Sequence, residues 1–123
     1  MSVIKFSEVE KFDFPGIVHQ TIACKTYGAK GIEVWRQTVE PNAATPVHLH
    51  ECEEVVIVLQ GSGRVIMDGK ATDFEANSTL IIPPDTLHQI LNTGNEEMLV
   101  IGCFNSSPVN VYTTDGEKIA LPW

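Results

Sequence analysis

The chain has 123 residues, 43% of them hydrophobic, the usual size of one domain with a buried core, and a second domain is not expected. Sixteen acidic against eight basic residues leave a net charge of −8, which repels phosphate backbones and anionic lipid, so neither nucleic acid nor membrane is expected as a partner. No apolar run approaches the roughly 20 residues of a membrane span, and Cys24, Cys52 and Cys103 are an odd set without CxxC spacing, so a soluble cytoplasmic protein with reduced thiols is expected.

Short β-branched and aromatic runs alternate with turn clusters along the whole length, and no segment carries a helical period, which reads as all-β. Strands are predicted over residues 17–24, 31–40, 45–50, 54–60, 63–67, 70–74, 78–82, 87–91, 97–104 and 109–112. Gly61-Ser62-Gly63, Asp68-Gly69 and Asn92-Thr93-Gly94-Asn95 supply residues able to take φ > 0 and predict three hairpins. Pro41, Pro46 and the pair Pro83-Pro84 lack backbone donors and belong at strand starts, edges or connections. Many short antiparallel strands with such turns make a sandwich or barrel, here with a core over about 17–112 and both terminal arms outside it.

On the strand over 31–40, Val34, Arg36 and Thr38 share one face and Trp35, Gln37 and Val39 the other, and either face can line a cavity. An inward Arg36 would clamp a carboxylate or phosphate, whereas an outward one is a surface cation; His19, Gln20 and Gln89 carry the same ambiguity. Trp35 and Trp123 read as packing residues. Val55-Val56-Ile57-Val58-Leu59 is apolar at every position, so both faces of that strand need cover. A homodimer is expected to supply it, with an N- or C-terminal arm as the competing cover.

His48 and His50, two apart on a strand, point to one face and form a chelating pair. Strict alternation would add Cys52 and Glu54, giving either a soft site with a thiolate or a turn over 51–53 that re-aims Glu54; the spacing does not choose. His88 follows the stiff turn Pro83-Pro84-Asp85-Thr86 and can bring a third imidazole beside the pair. Any one of these histidines alone reads as an ordinary strand residue, but the joint arrangement does not. Three imidazoles and one carboxylate leave an octahedral ion two open positions, enough for a bidentate substrate or for substrate plus dioxygen.

His48-x-His50-x3-Glu54-x6-Gly61 resembles the first motif of the cupin superfamily, and Pro83-x4-His88-x3-Asn92 is similar to its second. Together they span positions 42 to 92. Asn42, Asn77 and Asp85 stand where that pattern has glycine, all at turns, and Asn and Asp tolerate left-handed backbone better than other non-glycine residues. The resemblance implies a jelly-roll β-barrel, a double-stranded β-helix, in which His48, His50, Glu54 and His88 converge on one divalent transition metal per chain. The ion is iron, manganese, nickel, copper or zinc; Cys52 is then not a ligand.

The expected function is metal-dependent chemistry on a small oxygenated molecule, oxygenase-type first. The alternatives are a non-redox isomerase, decarboxylase or cyclase, or a barrel that binds a small ligand or metal without turnover. An imidazole must be deprotonated to bind, so protons are expected to displace the metal as the pH falls toward the ordinary histidine pKa of about 6.5 and below.

Overall fold

The computed structural model describes residues 2–123. Period-two alternation decides how each strand is used. Glu54, Val56 and Val58 point into the protein from one strand, as do Met98, Val100, Gly102 and Phe104 from its neighbour, while the intervening residues face outward. The elements are β1 (Phe12–Phe14), β2 (Ile17–Ala23), β3 (Glu33–Val39), β4 (Glu54–Gln60), β5 (Ser62–Met67), β6 (Lys70–Glu75), β7 (Ser78–Ile82), β8 (His88–Asn92) and β9 (Met98–Phe104). Short 3₁₀ turns lie at Phe6–Glu8 and Lys25–Tyr27.

All strand pairs are antiparallel, in a six-stranded sheet ordered β1-β2-β3-β9-β4-β7 and a three-stranded sheet ordered β6-β5-β8. This is the all-β jelly-roll architecture expected from the sequence. Val39, Val56, Val58 and Met98 of the larger sheet meet Val65 and Ile90 of the smaller in the main core, each such buried side chain contributing about 1.5–3 kcal/mol. A second apolar cluster, Trp35, Phe104, Val109 and Val111, sits on the same inner face beside the first.

The structure corrects several local expectations. Asp68-Gly69 does turn a hairpin, pairing Met67 with Lys70. Gly61 and the segment from Asn92 to Asn95 instead carry the chain from one sheet to the other, because β4 and β5, and β8 and β9, belong to different sheets. Asn92 holds its turn all the same: its amide donates to the carbonyls of Val39 and Glu96 at 2.8 and 2.9 Å, and its Oδ1 accepts from Gly94.

The stretches over 45–50 and 109–112 form isolated bridges, at His48↔His88, Leu49↔Tyr112 and Tyr112↔Lys118, rather than strands. Pro46 has no donor, and the Ile90 amide goes to the Thr45 hydroxyl at 3.0 Å, which interrupts the ladder. Phe12–Phe14 is a strand that the sequence reading missed; it pairs with β2 across the Pro15-Gly16 turn. From the C-terminal arm, Ile119, Leu121 and Trp123 lie against the second cluster.

The N-terminal arm covers the outer side of β2 and β3, where the Gln20 amide donates to the carbonyls of Phe6 and Val9 at 2.7 and 3.1 Å. It leaves Leu59 and Ile81, on the outer side of β4 and β7, 50% and 61% exposed.

Asn42, Asn77 and Asp85 all adopt the left-handed conformation, with φ of 69°, 66° and 59°. The turns therefore keep a glycine-like backbone without glycine. Replacing Asn77 by alanine keeps a β-carbon in this region but removes the short polar side chain that makes it tolerable there, and is expected to cost about 1 kcal/mol, whereas Asn77→Gly is expected to cost little. Urea denaturation of the two variants reads the difference.

Candidate metal centre

The site lies between the sheets, at one end of the core. Glu54 opens β4 in the larger sheet and His88 opens β8 in the smaller. His48 is tied to His88 by a reciprocal pair of backbone hydrogen bonds at 3.0 and 2.8 Å, which brings the segment carrying His48 and His50 alongside. A bend at Glu51 and Cys52 then re-aims the chain so that Glu54 points inward. Cys52 packs beside the second apolar cluster and is not among the residues that converge.

Each imidazole is held by its Nδ1. The acceptors are the carbonyls of Pro46 for His48, at 2.7 Å, of Asn110 for His50, at 2.8 Å, and of Thr86 for His88, at 2.8 Å. A carbonyl only accepts, so the proton of each neutral ring sits on Nδ1 and each Nε2 presents a lone pair. The three rings offer ligand atoms within 4.8 Å of one another, a cluster able to hold a metal ion. Glu54 Oε1 lies 3.5 Å from His50 Nε2 and 3.3 Å from His88 Nε2.

Acceptors therefore face acceptors. His50 Nε2 and Glu54 Oε1 are buried and without a hydrogen-bond partner, a cost of about 1–3 kcal/mol for each such group unless a cation or donor occupies the space between them. The donor set thus fits a divalent ion. Gly102 makes room for the Glu54 carboxylate: a β-carbon there would stand 3.0 Å from Glu54 Oε2. The sequence reading did not single out Gly102, although glycine inside a strand signals a close approach.

A cavity of about 590 Å³ opens from the cluster, within the range of small-molecule sites. Its walls include Phe14, Ile17, Trp35, Val111, Leu121 and Trp123, with Gln37, Thr45 and Gln89 as polar points. The only titratable side chains lining it are His48, His50, Glu54 and His88. Trp35 and Trp123, expected as packing, are cavity walls as well. Gln37 faces in, and Arg36 faces out, donating to Gln20 Oε1 at 3.4 Å over the Phe6 ring.

His19 stands behind this wall, stacked on Trp123 with ring centroids 3.5 Å apart. It accepts at Nδ1 from the Gln37 amide at 2.9 Å, and its Nε2 lies 2.8 Å from the Thr21 hydroxyl. Neither Glu53 nor Asp85 lines the cavity.

The sequence matches the family model described as auxin binding protein over residues 3–120. The chain belongs to the auxin-binding protein family. It is 37% identical over 113 residues to auxin-binding protein 1 of Arabidopsis thaliana, covering 84% of this chain and 57% of that one. Auxin-binding protein T92 of Nicotiana tabacum is 39% identical over 118 residues, covering 86% and 63%. This family member thus spans about three-fifths of the length of these curated relatives. Its fold matches that of a cupin 2 conserved barrel domain protein from Salinispora arenicola, with a TM-score of 0.72 at 19% identity over 85% of this chain and 87% of that one. The expected cupin architecture stands. Among the described residues, no helix is long and apolar enough to cross a membrane.

Burial holds the His19 pKa down at about 3. Burial, reinforced by the neighbouring His88, does the same for His48, and burial lowers His50 too. Burial thus moves proton competition at His48 and His50 below the ordinary histidine range. At His19 and His48 the unfolded chain binds protons below about pH 6.5 while the folded chain does not until about pH 3, so stability falls as the pH drops through that window. For metal-free protein the urea midpoint is expected to be lower at pH 5 than at pH 7. His19→Gln, though less stable overall, is expected to show a shallower dependence; an unchanged slope would remove His19 from this account.

Proposed function

We propose that this chain is a metal-dependent binder of a small carboxylic acid with an aromatic body, of the auxin class. One observation carries the reading: the three rings and the Glu54 carboxylate come together at the end of an apolar, aromatic-walled cavity, with His50 Nε2 and Glu54 Oε1 buried and without a hydrogen-bond partner. His48, His50 and His88 through Nε2, and Glu54 through its carboxylate, would hold one divalent transition metal, whether iron, manganese, nickel, copper or zinc. Such an ion would supply positive charge for a ligand carboxylate and, if redox-active, electron transfer with dioxygen. Trp35 and Trp123 would take the aromatic body, and Gln37 would offer its amide as a hydrogen-bonding partner.

Binding is favoured over isomerisation or cyclisation because, among the described residues, no titratable side chain besides the four acceptors lines the cavity to carry protons. The second reading is oxygenase chemistry, which needs no such group; it is favoured by the two positions that an N3O ligand set leaves open on an octahedral ion. Three free cysteines support a reducing, cytoplasmic setting.

The test combines elemental mass spectrometry of protein purified without chelators, calorimetry with indole-3-acetate, and chromatography of the recovered ligand. One equivalent of metal is expected, lost in His48→Ala. Saturable binding that requires the metal and returns the ligand unchanged is expected as well. Oxygen uptake with a new product would replace the binding reading by the oxygenase one, and protein that takes up no metal under any loading condition would sink both.

The uncovered outer side of β4 and β7 supports a homodimer through Leu59 and Ile81. The double variant Leu59→Lys, Ile81→Lys is expected to shift the mass in light scattering from dimer to monomer. A wild-type protein that is monomeric at high concentration would rule out the dimer.

A further inference from the structure

A second cavity, of about 530 Å³, lies on the far side of Trp123, which lines both. Its polar centre is Glu33, a carboxylate only 4% exposed. The Trp35 indole N–H donates to Glu33 Oε2 at 2.7 Å, and the Ser107 hydroxyl to Oε1 at 2.9 Å. Ser107 Oγ itself accepts from the Lys25 amide at 3.1 Å, so its proton is committed to Glu33. Both carboxylate oxygens thus act as acceptors, each with one neutral donor and with capacity left over.

Around this centre the lining is largely apolar and aromatic, including Phe12, Tyr27, Pro108, Leu121 and Trp123. Glu10 is a second carboxylate among the lining residues, and Lys25, which is exposed, is the one basic residue there.

We infer that this second cavity binds an organic ammonium group carried on an apolar or aromatic body, with Glu33 as its counter-ion. The physical reasons are independent of the metal reading. A buried carboxylate held by two neutral donors gains most from a charged donor, whose hydrogen bond is about twice as strong as a neutral one. Aromatic side chains in the lining add attraction for a cation near a ring face. The net charge of −8 draws cations toward the protein at long range. A lone buried carboxylate among apolar walls is not the oxygen-rich cage that calcium or magnesium requires, so an organic cation fits better than an inorganic one.

The test uses the full, ¹⁵N-labelled chain stripped of metal with EDTA, titrated at pH 7 with 2-phenylethylammonium and, separately, with its neutral counterpart 2-phenylethanol. Saturable shifts are expected at the amides of Thr21, Cys24 and Glu33 and at the Trp35 indole N–H, with the alcohol weaker by about tenfold or more. Glu33→Gln is expected to lose a similar factor, and His48→Ala to bind as wild type. Equal affinity for amine and alcohol, or shifts centred on Gln37, Thr45 and Gln89 in the other cavity, would overturn the proposal. So would a folded Glu33→Gln variant of unchanged affinity. If that variant does not fold, the comparison of amine with alcohol on the wild-type chain still decides.

Discussion

Three backbone carbonyls, of Pro46, Thr86 and Asn110, accept the Nδ1 protons of His48, His88 and His50, and that constraint organises the site. It fixes the tautomer of each ring and aims three Nε2 lone pairs at one region, where Glu54 adds a carboxylate. The result is a concentration of acceptors that the surrounding protein does not satisfy. In a buried setting such an arrangement is costly unless a cation is there to be held, so the energetics of the fold and the chemistry of the site are coupled.

The rest of the structure serves that geometry. Glu54 and His88 come from different sheets, so the distance between them is set by packing in the core, with Val39, Val56, Val58 and Met98 on one side and Val65 and Ile90 on the other. Gly102 keeps the space beside Glu54 open, since any β-carbon would crowd Oε2. Trp35, Phe104 and Trp123 form an aromatic layer next to the rings, with Trp35 and Phe104 edge-on to His50 at centroid distances of 5.7 and 4.9 Å. Trp123 of that layer lines two cavities. One is charged by the histidine and glutamate cluster, and the other holds Glu33.

Much of this was legible along the chain because alternation and turn chemistry are local. Glu54–Gln60 and Ser78–Ile82 match their expected bounds, since each is an apolar, β-branched run next to turn residues, Gly61 after the first and Asn77 and Pro83 around the second. Asn42, Asn77 and Asp85 were read as turn residues able to replace glycine, and all three have positive φ. The failures were non-local. Nothing near Gly61 or Asn92 says whether the next strand pairs with the last or crosses to the other sheet. A three-residue strand such as Phe12–Phe14 is too short to show a period, and only its pairing with β2 reveals it.

By itself the sequence determined most of the strand pattern, the acidic charge and the placing of His48 and His50 on one face, because spacing on a strand places side chains on a face without knowledge of the remainder; that Glu54 and His88 join them was implied by the resemblance to the cupin motifs. Two of the three histidine anchors are also local, each ring reaching a carbonyl two residues earlier. Only the tertiary structure decided the third, where His50 meets Asn110 sixty positions away. It likewise decided that Gln37 and not Arg36 faces the cavity, that Trp123 walls it, and that Glu33 is buried beside a second one. Those outcomes depend on which surfaces meet once the sheets close. That is a property of packing between distant segments, and a one-dimensional pattern does not contain it.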